Sequence, residues 1–303
     1  KLYKEMGSED GNTVIIKSPV EANGTAGSYN ADNPEGAAPA GPLSASYVGT
    51  AIASIIAGRT TGVAPGAVLY YFSPASELSG SNNSEADDSG TDNREERLSF
   101  VIAAFNGIRD LNDKLPPEDK IRAVVIENSL LTVTFTPENG NKLQSSLEHA
   151  LESGMLILSD SVITKESQGY LARCLGRSPL SAPDRLESYG TGYEWETQFL
   201  TYNDNFETVK KGCLLVPGDS RTTASPTGVQ DYVFNRIGGA GFASAYLAGL
   251  YALACQVNPA VTPEGFLKAA IDTGMEKTAE KYGLERTMKY ILDPLKLIRS
   301  TGD

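Results

Sequence analysis

The chain has 303 residues, 40% of them hydrophobic and 21% charged, which is enough apolar material to bury a core in one large domain. Its 26 Lys and Arg against 38 Asp and Glu leave a formal net charge of −12, which argues against nucleic acid as a partner, because phosphate contacts need a local excess of cations. No run of apolar residues reaches the roughly 18 that a membrane helix needs, and Cys174, Cys213 and Cys255 form no C-x-x-C pair, which argues against a disulfide framework or a structural zinc site.

In chain order, Val14–Ile16 is a brief β-branched run, followed by a Gly-, Pro-, Ala- and Asn-rich stretch over residues 21–46 that reads as loop. Residues 67–72 (AVLYYF) predict a buried strand. Residues 76–96 are polar and acidic, with almost nothing to offset the entropy of ordering them, and read as a second loop-rich segment. A calcium ion is the one cofactor that such a loop invites. Its spacing does not match an EF-hand, so solvated acids are the preferred reading and no cofactor or metal is expected. Leu98, Val101, Ile102, Phe105, Ile108 and Leu111 recur at helical spacing; residues 122–126 (RAVVI) predict a strand. Leu143, Leu147, Ala150, Leu151 and Met155 mark a second helix with Gly154 as its C-cap, and residues 155–158 (MLIL) follow as a strand. Strand–helix alternation of this kind implies an α/β fold with a mostly parallel sheet and helices on both faces. No linker divides the chain, so residues 1–303 are read as a single domain.

Three blocks carry more specific information. Residues 48–66 read VGTAIASIIAGRTTGVAPG, residues 215–218 read LVPG, and residues 239–254 read GAGFASAYLAGLYALA, followed by Asn258-Pro259 and Thr262-Pro263. In this order they resemble the subtilases, the subtilisin-like serine proteases, whose H-G-T-x-V-A-x-I-I-A-G leads into G-V-A-P, and whose A-P-G precedes G-T-S-M-A-x-P-x-V-A-G. Residues 125–131 (VIENSLL) resemble the family strand V-I-N-M-S-L-G, and residues 290–295 (YILDPL) the closing G-x-V-D-P. The resemblance implies a subtilisin-like central sheet of about seven mostly parallel strands between helical layers. It also implies a serine endopeptidase ancestry and, since the family is mostly secreted and includes bacterial members that lack triad residues and act in germination signalling, a secreted or cell-envelope location. No signal peptide is legible at the start of the sequence.

The residues then depart from the family at the points where its chemistry resides. The family histidine is replaced by Val48, the nucleophilic serine by Gly241, and the aspartate, on the alignment of residues 15–19 (IIKSP), by Lys17. Valine accepts no proton, glycine has nothing to attack with, and lysine is a donor that does not orient an imidazole. Residues 155–164 (MLILSDSVIT) contain no asparagine for the oxyanion hole, a loss that costs about 10²–10³ in rate. Ala245 takes the place of a family proline in the serine helix.

Substitutes are scarce. His149 is the one histidine and falls off its helix's apolar stripe, facing solvent; Ser244 reads as a packing residue. Asp272-Thr273-Gly274 reads as a helix end with Gly274 as C-cap, and Lys17 with Ser18 or Ser46 is a conceivable dyad that nothing in the sequence positions. Ser129, Leu130 and Leu131 occupy the strand that, in the family, a peptide substrate joins edge to edge. The expected function is therefore a non-catalytic binding or regulatory pseudoprotease with a peptide or small-molecule ligand in the former cleft and no nucleic-acid or membrane partner. A rewired serine-type peptidase and a purely structural interaction scaffold are the alternatives.

Overall fold

A computed structural model describes residues 44–72, 94–126, 137–159, 171–177, 186, 189–190, 213–225, 231–281 and 284–302. Its helices are α1 (Ser44–Ala57), α2 (Arg94–Lys114), α3 (Pro137–Glu152), α4 (Gly239–Val257), α5 (Pro263–Asp272) and α6 (Pro294–Ser300). Its strands are β1 (Ala123–Ile126), β2 (Leu156–Ser159), β3 (Leu171–Arg177), β4 (Tyr189–Gly190), β5 (Cys213–Pro217), β6 (Arg221–Ala224), β7 (Tyr232–Asn235), β8 (Met275–Lys281) and β9 (Leu284–Ile291).

The α/β layering follows from strand periodicity. β1 and β2 pair in parallel, with Ala123 opposite Leu156. Val124, Ile126 and Ile157 face α2 and α3, packing with Val101, Phe105, Ile108, Leu143 and Leu147. Their neighbours Leu156 and Leu158 face the opposite way, into the core under α4. Alternate residues therefore serve two helical layers, as the period of two requires. The same alternation recurs further along. Cys174, Leu214 and Val216 point toward α4, whereas Leu175 and Leu215 point toward Met288, Ile291 and Tyr189.

The sheet itself differs from expectation. Among the described residues the strands form a parallel pair β1–β2, a mixed five-stranded sheet in the order β4–β3–β5–β9–β8 and an antiparallel pair β6–β7, not one seven-stranded, mostly parallel sheet. Within the five-stranded sheet only β3, β5 and β9 run parallel; β4 and β8 are antiparallel edges, β8 being the hairpin partner of β9. Leu156 and Cys174 share one core beneath α4 although no ladder joins β2 to β3. Residues 67–72, expected as a buried strand, are assigned no strand; they are half-buried apart from Val68, which is 52% exposed. Apolar character alone does not make a strand, which also needs an edge to bond.

Both loop-rich segments end in helix, since residues 44–46 begin α1 and residues 94–96 begin α2; their remainder, with Val14–Ile16, lies outside the described residues. Gly154 adopts φ +77° and its N–H donates to the Leu151 carbonyl, closing α3 as expected. Gly274 is not the cap of α5. Thr273 holds that position, and a Cβ on Gly274 would lie 2.9 Å from the Tyr290 Cα, so the glycine serves close approach to β9. Helix α4 has 19 residues and by length and composition passes as a membrane span, against the sequence reading that it is too short. Its place is nevertheless the core: Phe242, Ala243, Leu247, Leu250, Tyr251 and Ala254 are all buried by α1, the sheets and α6.

Candidate functional site

Helices α1 and α4 pack together along the seam that the sequence blocks define. Val48 lies in α1, half-buried against a cluster of Ala51, Ile52, Ile55, Phe242 and Ala245. Gly241 is the third residue of α4, also half-buried, and Ala245 is fully buried in the same seam. Two of the three expected triad positions therefore sit on adjoining helices, joined by apolar contact. Lys17 and Ser18 lie outside the described residues, as do Ser129, Leu130 and Leu131, β1 ending at Ile126, so neither the third position nor the peptide-groove strand is described. His149 is exposed on α3. Ser244 is buried and its hydroxyl has no hydrogen-bond partner, and so no base, among the described residues. Ser54, the buried serine of α1, donates to the Ala51 carbonyl and accepts from the Ala224 N–H, which ties β6 to the helix.

Close backbone contacts fix the turn in front of α4. A Cβ on Gly238 would stand 2.2 Å from the Gly218 carbonyl oxygen, and one on Gly218 would stand 2.6 Å from Cys174 Sγ. Gly218, which ends the LVPG block just after β5, thus meets the start of α4 backbone to backbone. Asp219, the next residue, is buried; its Oδ1 accepts the Gly238 N–H at 2.8 Å and lies 3.2 Å from Cys174 Sγ. This carboxylate caps a helix whose own N-cap residue has no side chain, and the helix dipole favours it there. At the other side of the seam, a Cβ on Gly49 would come 2.1 Å from the Tyr71 hydroxyl, so the phenol covers the glycine next to Val48.

Beside this turn is a cluster that nothing in the sequence pattern signals. Ser220 is held in the left-handed region at φ 55°, a conformation costing a non-glycine residue roughly 1–2 kcal/mol. Its hydroxyl donates to the Arg177 carbonyl at 2.7 Å and its N–H to the Arg236 carbonyl at 3.2 Å. Arg177 Nη2 returns to the Ser220 carbonyl at 3.4 Å. Arg221 donates Nε to the Pro217 carbonyl at 2.9 Å and Nη2 to the same oxygen, and its guanidinium lies 4.1 Å from the centroid of the Tyr246 ring. Burial lowers the Arg221 pKa from its usual value; the Tyr246 phenol opposes that and the charge of Arg177 adds to it. The guanidinium stays protonated throughout the physiological range. The two arginines are 44 residues apart in sequence, on β3 and β6, and only the β3–β5 ladder and the Ser220 turn bring them together.

No family model and no curated protein sequence matches the chain. Among solved structures, one described as the structural basis of subtilase cytotoxin SubAB assembly is similar over 84% of this chain and 76% of that one, with TM-score 0.51 and 15% identity. The prenylagaramide maturation protease PagA is similar over 84% and 82% with TM-score 0.47 and 17% identity, and the A-subunit of the AB5 toxin from E. coli over 85% and 79% with TM-score 0.48 and 14% identity. The first of these carries the fold: the chain has a subtilase-like α/β fold.

Proposed function

We propose that this protein is a non-catalytic binding or regulatory member of the subtilase fold, a pseudoprotease whose former cleft holds a peptide or small-molecule ligand. The observation that supports it is the pairing of Val48 with Phe242 and Ala245, which puts hydrocarbon where a base and a nucleophile would have to exchange a proton. Ser244, the serine one turn past Gly241, is buried, and its hydroxyl bonds no base among the described residues. The lysine at position 17 and the absence of an asparagine from residues 155–164 point the same way.

The test is intact mass after incubation with a fluorophosphonate, which acylates activated serines. An unmodified mass is expected. A single adduct would overturn the proposal, and its mapped position would name the nucleophile of a rewired peptidase.

A further inference from the structure

We propose that Arg177 and Arg221, set side by side by the Ser220 turn and backed by Tyr246, form a binding site for one oxyanion, a carboxylate or a phosphate group. This site is independent of whether the chain hydrolyses peptides, because it uses none of the triad positions.

Three observations carry it. First, among the described residues neither arginine pairs with a carboxylate, in a chain that has 38 acidic residues to offer. Asp219, the acid on the same turn, has its Oδ1 engaged by Gly238 and Cys174 instead. Second, Arg177 and Arg221 are both half-buried residues that bond the carbonyls of one turn, Ser220 and Pro217, so the charge of Arg177 bears on Arg221. Like charges held together without a counter-ion are a cost that a bound anion removes. Third, the donors are arranged and incompletely used. Arg221 spends Nε and Nη2 on one carbonyl and lies over the Tyr246 ring. Arg177 spends Nη2 on one long bond, and its Nε and Nη1 make no bond among the described residues. Planar guanidinium donors of this kind match the oxygens of a carboxylate or phosphate. The strained Ser220 holds Arg177 through its hydroxyl and carbonyl and directly precedes Arg221, and strain retained at such a point is a mark of a functional turn.

The same chemistry is offered by free phosphate and by the carboxylate at a peptide's end, and two probes separate the sources. Inorganic phosphate and N-acetylglycine are titrated calorimetrically into the full chain at low salt. Wild type, Arg177→Gln, Arg177→Lys and Arg221→Lys are compared, each with its thermal unfolding recorded to establish that it folds. Saturable single-site binding of at least one probe is expected. Arg177→Gln weakens it by about tenfold or more, and Arg177→Lys, which keeps the charge and loses the fork, falls between. Binding of phosphate alone assigns the site to free phosphate, and binding of N-acetylglycine alone to a peptide carboxylate. Absence of binding by both probes at millimolar concentration overturns the proposal. So does an affinity that neither Arg177→Gln nor Arg221→Lys changes.

Discussion

Replacing Gly238 with alanine is expected to be the most damaging single-methyl addition near the site. The new Cβ would lie 2.2 Å from the Gly218 carbonyl oxygen and 2.8 Å from the Gly218 carbonyl carbon. Both are backbone atoms, so no rotamer change relieves the overlap. Either the LVPG turn or the start of α4 must move. Overpacking of this kind costs about 1–3 kcal/mol. Movement also stretches the 2.8 Å bond from the Gly238 N–H to the buried Asp219 carboxylate, whose full loss costs about 1.5–3 kcal/mol. The combined expectation is about 2–4 kcal/mol, or a fall in Tm of roughly 3–6 °C for a domain of this size. Two neighbouring glycines serve as controls. Gly239→Ala meets no atom within 4 Å but sits at φ +70°, so it costs backbone strain alone, about 1–2 kcal/mol. Gly66→Ala meets nothing and has no positive φ, so it is neutral or stabilises by up to about 1 kcal/mol. Urea unfolding followed by far-UV circular dichroism ranks the three. If Gly238→Ala proves as stable as Gly66→Ala, the backbone contact between the LVPG turn and α4 is refuted.

Burial pushes the Tyr251 hydroxyl up to about 12, against 10 for an exposed phenol. The folded state therefore holds the proton where the unfolded state releases it, so this group's contribution to stability is complete below pH 10 and is lost as pH rises from 10 to 12. The loss amounts to about 2–3 kcal/mol by pH 12, and Tyr251→Phe should remove that part of the alkaline destabilisation while costing little at pH 7, because the hydroxyl's bond to the Val261 carbonyl is long at 3.4 Å. Thermal unfolding at pH 7, 9 and 11.5 on both proteins checks this, and equal alkaline sensitivity would contradict it. At the arginine turn, Ser220→Ala loses the hydroxyl bond to Arg177 and keeps the positive φ, so it should destabilise by about 1 kcal/mol. Ser220→Gly loses the same bond but relieves the strain, so it should come out near zero, and a Gly variant less stable than the Ala variant would refute a strained Ser220.

Much of the frame was legible because it follows local periodicity. The apolar spacing of Val101, Phe105 and Ile108, and of Leu143, Leu147 and Ala150, became the buried faces of α2 and α3. The runs at 122–126 and 155–158 became β1 and β2, and the block at 239–254 became the buried α4. Residues 67–72 are assigned no strand, because hydropathy signals burial and does not encode a partner edge. The arrangement of strands into mixed groups was illegible for the same reason: β8–β9 closes as a hairpin on the sheet edge, and its side-chain pattern does not distinguish that from a parallel strand.

By itself the sequence determined what chemistry the two helices bear, since Val48 and Gly241 have no proton to move and no atom to attack with, wherever they are placed. Tertiary structure alone decided that the α1–α4 seam is apolar, that Asp219 caps α4 through Gly238, and that Arg177 and Arg221 meet at one turn. The reason is physical: a residue type fixes which bonds a side chain can make, but the partner across 44 residues of chain is set by strand register and backbone contact, and neither leaves a local mark in the sequence.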